Sequence, residues 1–428
     1  MESPKIVIVG SSYSSAAVFY YLQDYLAKSR QPFDILLISE KNCYFFKSFY
    51  SQLVSSNCDL SDVGQEFRQV GLLRAGVSYL ETKISDINLE SNLIKTQKGE
   101  IPYTYLVLAC ENDLNSSEFL VKDSNCFEVN TVIDVLKVKI HILKSLETAA
   151  SKCNDETKKM LMTFSIIGAQ KEGIEIAFSI YDFVSELLKK QFPELKKSLL
   201  TINLIEKNNV ISISKDPIFN SHIFYNLNKK RIKLYSNSSV INIEKNRIEI
   251  NNNSEISSGT IIFSGRNKSS SLLNSLQLQK DALSKAYVDL YSQAQGMDNI
   301  FLIGECSKCL DLGEDLIQND LLFKEQAKIC AYNVFAKINN NPLKPLKNNI
   351  EIDYISLGSR SSLMGIKGVS FDGFLAWFFH RIIYIWCFLG FKKKITTFIS
   401  LLLNVLQLRE NILFNVLEQK KEKQLVKK

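Results

Sequence analysis

Three histidines in 428 residues, His141, His222 and His380, stand far apart with no ligand spacing between them, so no metal site is expected. The nine cysteines are scattered rather than laid out as a disulfide framework. Cys306 and Cys309 form a C-x-x-C, the spacing of a redox pair or of half a zinc site. No second Cys or His pair lies at zinc-finger spacing and no thioredoxin-like strand and helix surround it, which favours an ordinary structural pair. The N-terminus reaches an apolar strand pattern at Lys5 without the charged, apolar, small-residue order of a cleavable leader. A reducing, cytosol-facing location without a signal peptide is therefore expected.

What is present is ordinary for a globular chain of two or three domains: 46% hydrophobic and 23% charged residues. The net charge of +7 is unevenly placed, with Lys392, Lys393, Lys394 and the run from Lys420 to Lys428 near the C-terminus. A basic end beside apolar segments points to an anionic membrane surface more than to nucleic acid.

KIVIV (Lys5 to Val9) is a short β-branched run broken by Gly10; Ala16 to Leu26 suits a buried helix, and DILLI (Asp34 to Ile38) is a second buried strand followed by Glu40. The same order recurs with TFSII (Thr163 to Ile167), a turn from Gly168 to Gly173, a helix from Ile174 to Leu188, and TINLI (Thr201 to Ile205) ending at Glu206. Two copies of strand, Gly-led turn, helix, strand and acid predict an α/β chain with two Rossmann-like nucleotide folds. Asn246 and Arg247, between short alternating runs in VINIEKNRIEI, predict a hairpin.

Such a turn sets backbone N–H groups and the positive helix end against a pyrophosphate, and the acid after the second strand takes ribose hydroxyls. The first turn, Gly10-Ser11-Ser12-Tyr13-Ser14-Ser15, keeps one glycine of three. Ser15 replaces a packing glycine, where a small side chain is tolerable; Ser12 replaces the glycine beside the pyrophosphate and must either crowd the ligand or bond a phosphate oxygen. The second, Gly168-Ala169-Gln170-Lys171-Glu172-Gly173, keeps the first and third glycines, and Gln170 at the close-approach position is harder to accommodate. Glu206 would favour a free 2′-hydroxyl, hence NADH over NADPH. An α/β turn without ligand remains the alternative at both sites, and a solvated surface charge is the reading preferred for Glu172 and Glu325.

Longer segments carry a resemblance. EKNCYFFKSFYSQL (Glu40 to Leu53) resembles an acid, basic-Asn-Tyr-x-x-Phe stretch, and YTYLVLACE (Tyr103 to Glu111) a Tyr-Asp-Tyr-Leu-Val-Leu-Ala-Thr-Gly strand. GIEIA (Gly173 to Ala177) resembles a Gly-Val-Glu-Leu-Ala helix start, and NIFLIGEC (Asn299 to Cys306) an Asn-Val-Phe-Ala-Ile-Gly-Asp-Cys. With the tail from Ser356 to Lys394, these occur in the order found in type II NADH dehydrogenases, single-chain FAD-containing NADH:quinone oxidoreductases of the two-dinucleotide-fold flavoprotein superfamily.

That resemblance implies FAD and NADH as cofactors and a quinone as acceptor. It places Gly10, Ser12, Ser15, Glu40, Ala109, Gly304 and Glu305 around FAD, Gly168, Gly173, Glu206 and Gly265 around NADH, and Glu175 near the flavin–nicotinamide contact as the catalytic candidate. Cys110-Glu111 stands for the usual Thr-Gly, and Glu305 for an Asp one methylene shorter. The quinone-side motif Ala-Gln-x-Ala-x-Gln-Gln aligns with Asp320 to Gln326 and keeps only Gln326, with Gln318 as a substitute if the alignment shifts. The expected division is residues 1–125 and 286–345 for FAD, 126–158 as a helical connection, 159–285 for NAD(H), and 346–428 as a membrane-anchoring region.

In that last region, Phe374 to Phe391 is too short and too interrupted by His380 and Arg381 to span a bilayer, and Ile395 to Leu417 repeats apolar residues on one helical face. Both fit a monotopic chain lying in the interface, with Trp377, Phe378, Phe379 and Trp386 among the contacts; a helical pair packed on the protein body, or on a second subunit of a homodimer, is the alternative. Two other functions stay open: a non-catalytic relative that has lost a nucleotide site, and a sulfide:quinone oxidoreductase using Cys126, Cys153 or Cys330.

Overall fold

Strands apolar on both faces need cover on both faces, and KIVIV, DILLI, TFSII and TINLI are of that kind. In the computed structural model, which describes residues 3–405 apart from 30, 72–74, 112, 115–124, 152–153, 210–212, 245, 252–253, 265–266, 269, 313–318 and 348–351, they occupy the middle of two parallel sheets. The first sheet runs Ile300–Leu302, Tyr105–Leu108, Lys5–Val9, Asp34–Ser39, Val77–Glu81. The second repeats that plan as Cys126–Glu128, Thr260–Phe263, Thr163–Ile167, Thr201–Ile205, Lys233–Tyr235. All neighbours in both are parallel, so the α/β class and the doubled Rossmann-like plan are as expected. The chain leaves the first sheet after Tyr105–Leu108 and re-enters it at Ile300–Leu302, on the far side of the second.

Each central strand turns into a helix that covers its sheet. Ala16, Ala17, Phe19 and Leu22 of the helix Tyr13–Leu26 have no exposed surface, and this helix packs along a second, Asp320–Ile338. In the second fold the helix Lys171–Lys190 buries Ile174, Ala177, Phe178 and Val184. The expected hairpin forms between Val240–Glu244 and Arg247–Ile250, with Asn246 in the left-handed region at φ +70°.

After the second return comes an antiparallel meander, Ile352–Ser356, Ser362–Ile366 and Val369–Gly373, leading into the helices Phe374–Cys387 and Phe391–Val405. The break between these helices holds Gly390. None of the described helices is long and apolar enough to cross a membrane. The first of the two divides its aromatics by face. Trp377, His380, Arg381, Tyr384 and Cys387 are buried against the body, while Leu375, Phe379, Ile382 and Trp386 are exposed. Trp377 is thus core, although aromatic density had grouped it with the interface residues. The second helix exposes Ile395, Phe398, Ile399 and Leu402. Leu406 to Leu417 and the basic end lie outside the described residues.

The start of the helix Lys171–Lys190 admits no larger residue at Gly173, because an added Cβ would stand 1.9 Å from the carbonyl oxygen of Gly168. Gly173→Ala should therefore lower stability by about 3 kcal/mol, the upper range for forced overpacking. Urea unfolding should show a lower midpoint at unchanged slope; an unchanged midpoint would contradict this account of the turn.

Candidate functional site

Both Gly-led turns lie at the carboxyl ends of their strands, the edge where open α/β sheets bind ligands. In the first, Gly10 has φ +144° and donates its N–H to Ile38 O at 3.1 Å; a Cβ there would come within 2.2 Å of Ala109 O. The glycine and Ala109 are one structural unit. Ser12 caps the helix: its Oγ accepts the Ser15 N–H at 3.2 Å and donates to Ala109 O at 2.8 Å. Ser15 Oγ, fully buried, donates to Gly10 O and Ser12 O at 2.9 and 2.7 Å. The Ser15 hydroxyl thus bonds the turn itself, and the Ser12 hydroxyl ties the turn to Ala109.

Glu40 is exposed at the end of its strand. Near it, Thr82 Oγ1 is buried without a partner among the described residues, one position past the strand that flanks Asp34–Ser39. An orphaned hydroxyl beside an exposed acid, and a glycine whose missing Cβ brings the helix N-terminus against Ala109, fit the adenosine and pyrophosphate of a dinucleotide. Gly304 closes the other side and donates its N–H to Gln326 Oε1 at 3.2 Å. Gln326, placed on the quinone side by resemblance, is buried on the Asp320–Ile338 helix and supports this loop.

In the second turn Gly168 donates to Ile205 O at 2.8 Å, as Gly10 does to Ile38. Gln170 is exposed with an ordinary extended backbone and makes no side-chain cap. Glu206 stands at the strand end, and its carboxylate closes onto the turn, accepting the Ala169 N–H at 2.7 Å and the Asn208 N–H at 3.0 Å. Gly265 lies outside the described residues.

Between the folds is a crevice enclosing about 120 Å³, or about 840 Å³ counting its open mouth. Ser12, Tyr13 and Ser14 line one side, Lys171, Glu172 and Glu175 the other. A dinucleotide on each turn would meet here. Lys47 and Glu305 form an ion pair at 3.1 Å across its wall, so the Glu305 carboxylate is held by a cation rather than standing alone. Burial opposes the charge on Lys47, yet Glu305, Glu111 and Glu172 together hold its pKa above the ordinary value. Lys171 Nζ sits 3.9 Å over the Tyr354 ring.

Glu175 is buried and accepts the Ser356 N–H at 2.9 Å; burial raises its pKa to about 8 against the pull of Lys171. Asp320 is raised by burial as well, opposed by a bond from Ser48 Oγ at 2.5 Å and by Lys171. Glu111 completes a set of five carboxyls against two ammonium groups lining the crevice. Every acid that keeps its proton reduces that imbalance. Sequence reasoning missed Lys47, Ser48, Asp320 and Tyr354. The first two lie inside a stretch the resemblance already covered, and Asp320 stood in the aligned helix start as a mere departure.

Cys110 lines the crevice; Cys306, Cys309, Cys330 and Cys126 are not among its lining residues. Cys306 and Cys309 are reduced and buried, and burial pushes both thiols up. Cys330 is likewise raised by burial, Cys126 is half-buried, and Cys153 lies outside the described residues. No cluster of three metal-ligating side chains exists among the described residues.

No family model matches the chain. It is 22% identical over 420 residues to the internal alternative NAD(P)H-ubiquinone oxidoreductase A1 of Arabidopsis thaliana, covering 90% of this chain and 80% of that one. It is 21% identical to the type II NADH:quinone oxidoreductase of Haemophilus influenzae, over 84% of this chain and 86% of that one. The chain resembles type II NADH dehydrogenases along nearly its whole length. Among solved structures, NDH2 of Plasmodium falciparum in complex with NADH superposes with a TM-score of 0.78 at 19% identity, covering 94% of this chain and 98% of that one. The sulfide:quinone oxidoreductase of Aquifex aeolicus gives 0.71 at 16%, covering 90% of each chain. These likenesses establish the fold.

The raised Glu175 ties stability to pH. The folded chain keeps a proton that the unfolded chain loses above its ordinary value of 4.5, so the contribution is intact below that value and is lost as pH rises toward about 8. Glu175→Gln keeps an acceptor for Ser356 and cannot ionise. Its urea midpoint should fall less than that of the parent between about pH 5 and about pH 9; parallel curves would refute the assignment.

Proposed function

We propose that the protein is an FAD-dependent NADH:quinone oxidoreductase held on a membrane surface. The observation that carries this reading is the crevice, where the helix N-terminus of the first turn and Lys171, Glu172 and Glu175 of the second face one another. Bound along the first turn, FAD supplies two-electron exchange between a hydride donor and an acceptor. Gly10 and Ser12 would set the pyrophosphate against the helix Tyr13–Leu26, Glu40 the ribose, and Lys47 with Glu305 the polar wall beside the ring end. NADH would lie along the second turn, its ribose drawing on Glu206, whose charge disfavours a 2′-phosphate. On this reading residues 1–125 and 286–345 bind FAD, 126–158 connect, although Cys126–Glu128 already form the edge strand of the second sheet, 159–285 bind NADH and 346–428 face the membrane.

A second reading has a specific observation in its favour. With Glu206 closed on Ala169 and Asn208, the chain would keep the fold and bind one nucleotide without turnover. Of the three thiols proposed for a sulfide:quinone oxidoreductase route, Cys330 is disfavoured, because burial raises its pKa and leaves less thiolate. Purified full-length protein should be yellow and bleach anaerobically with NADH, more readily than with NADPH. A yellow protein that NADH does not bleach would favour the binding-only relative; a colourless one that FAD does not stabilise against heat would defeat both. At about 100 times Kd, FAD should add about 2.7 kcal/mol, enough to see in Tm.

The membrane part rests on the exposed apolar faces of the last two helices, with Lys392, Lys393 and Lys394 in the first turn of the second, a pattern suited to a cytosol-facing, monotopic interface with anionic lipid. Deleting these helices would uncover core, because Trp377, Tyr384 and Phe388 are buried. Point charges are the cleaner probe. Phe379→Glu with Ile382→Glu should abolish cosedimentation with phosphatidylserine vesicles while leaving flavin content intact; unchanged sedimentation would overturn the assignment.

A further inference from the structure

We infer that Asp320 is the acid that gives a proton to the acceptor reduced in the crevice. This rests on the oxidoreductase reading, and it assigns a role to a residue that the resemblance left as a departure. Asp320 opens the helix Asp320–Ile338 and lines the same crevice as Glu175, Lys47 and Glu305. Its carboxyl is bonded by Ser48 Oγ at 2.5 Å, and Ser48, only half-buried, lines the crevice too. Asp320 is itself partly exposed, and the Ser48 hydroxyl bonded to it reaches solvent as well, which gives a proton carrier a path by which to recharge.

The stoichiometry requires such a group. Breaking the C4–H bond of NADH releases a hydride, which is two electrons and one proton. Reducing a quinone to its hydroquinone forms two O–H bonds and consumes two electrons and two protons. One proton per turnover must come from elsewhere. Asp320 supplies it as the acceptor oxygen gains charge, is left as a carboxylate, and regains a proton from water through the Ser48 hydroxyl.

The surroundings suit an acid that alternates between forms. Burial and the charge of Glu305 oppose its ionisation, while the Ser48 hydroxyl and Lys171 favour the carboxylate once formed, and a charge on Asp320 in turn helps keep the proton on buried Glu175. Tyr13, Tyr354, Tyr384 and Cys387 complete its shell, and burial raises the pKa of each, so each keeps its proton and none competes as a carboxylate would.

The test uses full-length, flavin-loaded protein and separates three reactions: anaerobic bleaching by NADH, reoxidation by a short-chain soluble quinone, and reoxidation by ferricyanide, which takes electrons without protons. Asp320→Asn should leave bleaching and the ferricyanide reaction unchanged and slow the quinone reaction by about 10²-fold, the ordinary value of a positioned general acid. It should also remove a protonated-carboxyl C=O band from the infrared spectrum of the resting protein. Ser48→Ala should slow only the quinone reaction, and it carries the same test if Asp320→Asn sheds its flavin. Quinone and ferricyanide rates that fall together would mark a structural role and overturn the proposal, as would an unchanged quinone rate. If the parent protein itself is not bleached by NADH, the oxidoreductase reading falls and this one with it.

Discussion

Everything in the crevice depends on how the meander is fastened to the second nucleotide fold. Lys230 Nζ bonds Asp182 at 2.6 Å and Leu357 O at 2.8 Å, and Asp182 also accepts the Ser359 N–H at 2.7 Å. Two turns of helix away, Glu175 accepts the Ser356 N–H. Half-buried ion pairs of this kind add little net stability once desolvation is counted, but they choose among packings. Here they fix the strand Ile352–Ser356 against the helix Lys171–Lys190, which puts Tyr354 and Glu175 into one wall. They also fix where the helix Phe374–Cys387 begins.

The crevice then has an electrostatic problem that its shape creates. Bringing two carboxyl strand edges together brings their acids together, and among the described lining residues Lys47 and Lys171 oppose them. The solutions differ by depth. At the half-exposed wall Glu305 is paired with Lys47; deeper in, Glu175 holds a proton, and Asp320 leans the same way. Acids that share a low-dielectric site seldom all ionise, and that condition makes one of them available as a proton store.

The sheets were legible from the sequence because parallel strands buried on both faces leave continuous apolar runs, and KIVIV, DILLI, TFSII and TINLI are unmistakable in that respect. The doubled order of turn and acid was legible for the same reason. The serines were not. Whether Ser12 faces a phosphate or the protein depends on the Ala109 carbonyl, a strand away in space and 97 residues away in sequence. Glu206 likewise meets a backbone N–H that no pattern of side chains reveals. Asp320 was hidden because alignment to a motif scores what is lost and is silent about what a replacement brings.

The apolar tail shows how composition and position diverge. Density alone groups Trp377 with Phe379 and Trp386, yet helical spacing separates them: Trp377, Arg381 and Tyr384 recur at three and four residues, as do Leu375, Phe379, Ile382 and Trp386. Arg381 reveals which row faces inward. Its guanidinium lies 4.8 Å from the Phe49 ring and 5.4 Å from Trp377, and it donates to Gln52 Oε1 at 2.7 Å. Tyr384 stacks on Phe49 at 3.5 Å and bonds Asp62 O. A buried cation with such partners fixes the rotation of the helix, and with it the row that stays exposed. His380 extends that link to Tyr354 in the crevice wall, with ring centroids 4.5 Å apart. The exposed apolar row and the wall of the crevice are thereby joined through one helix, whose inward row reaches Phe49 and Tyr354 while its outward row stays uncovered.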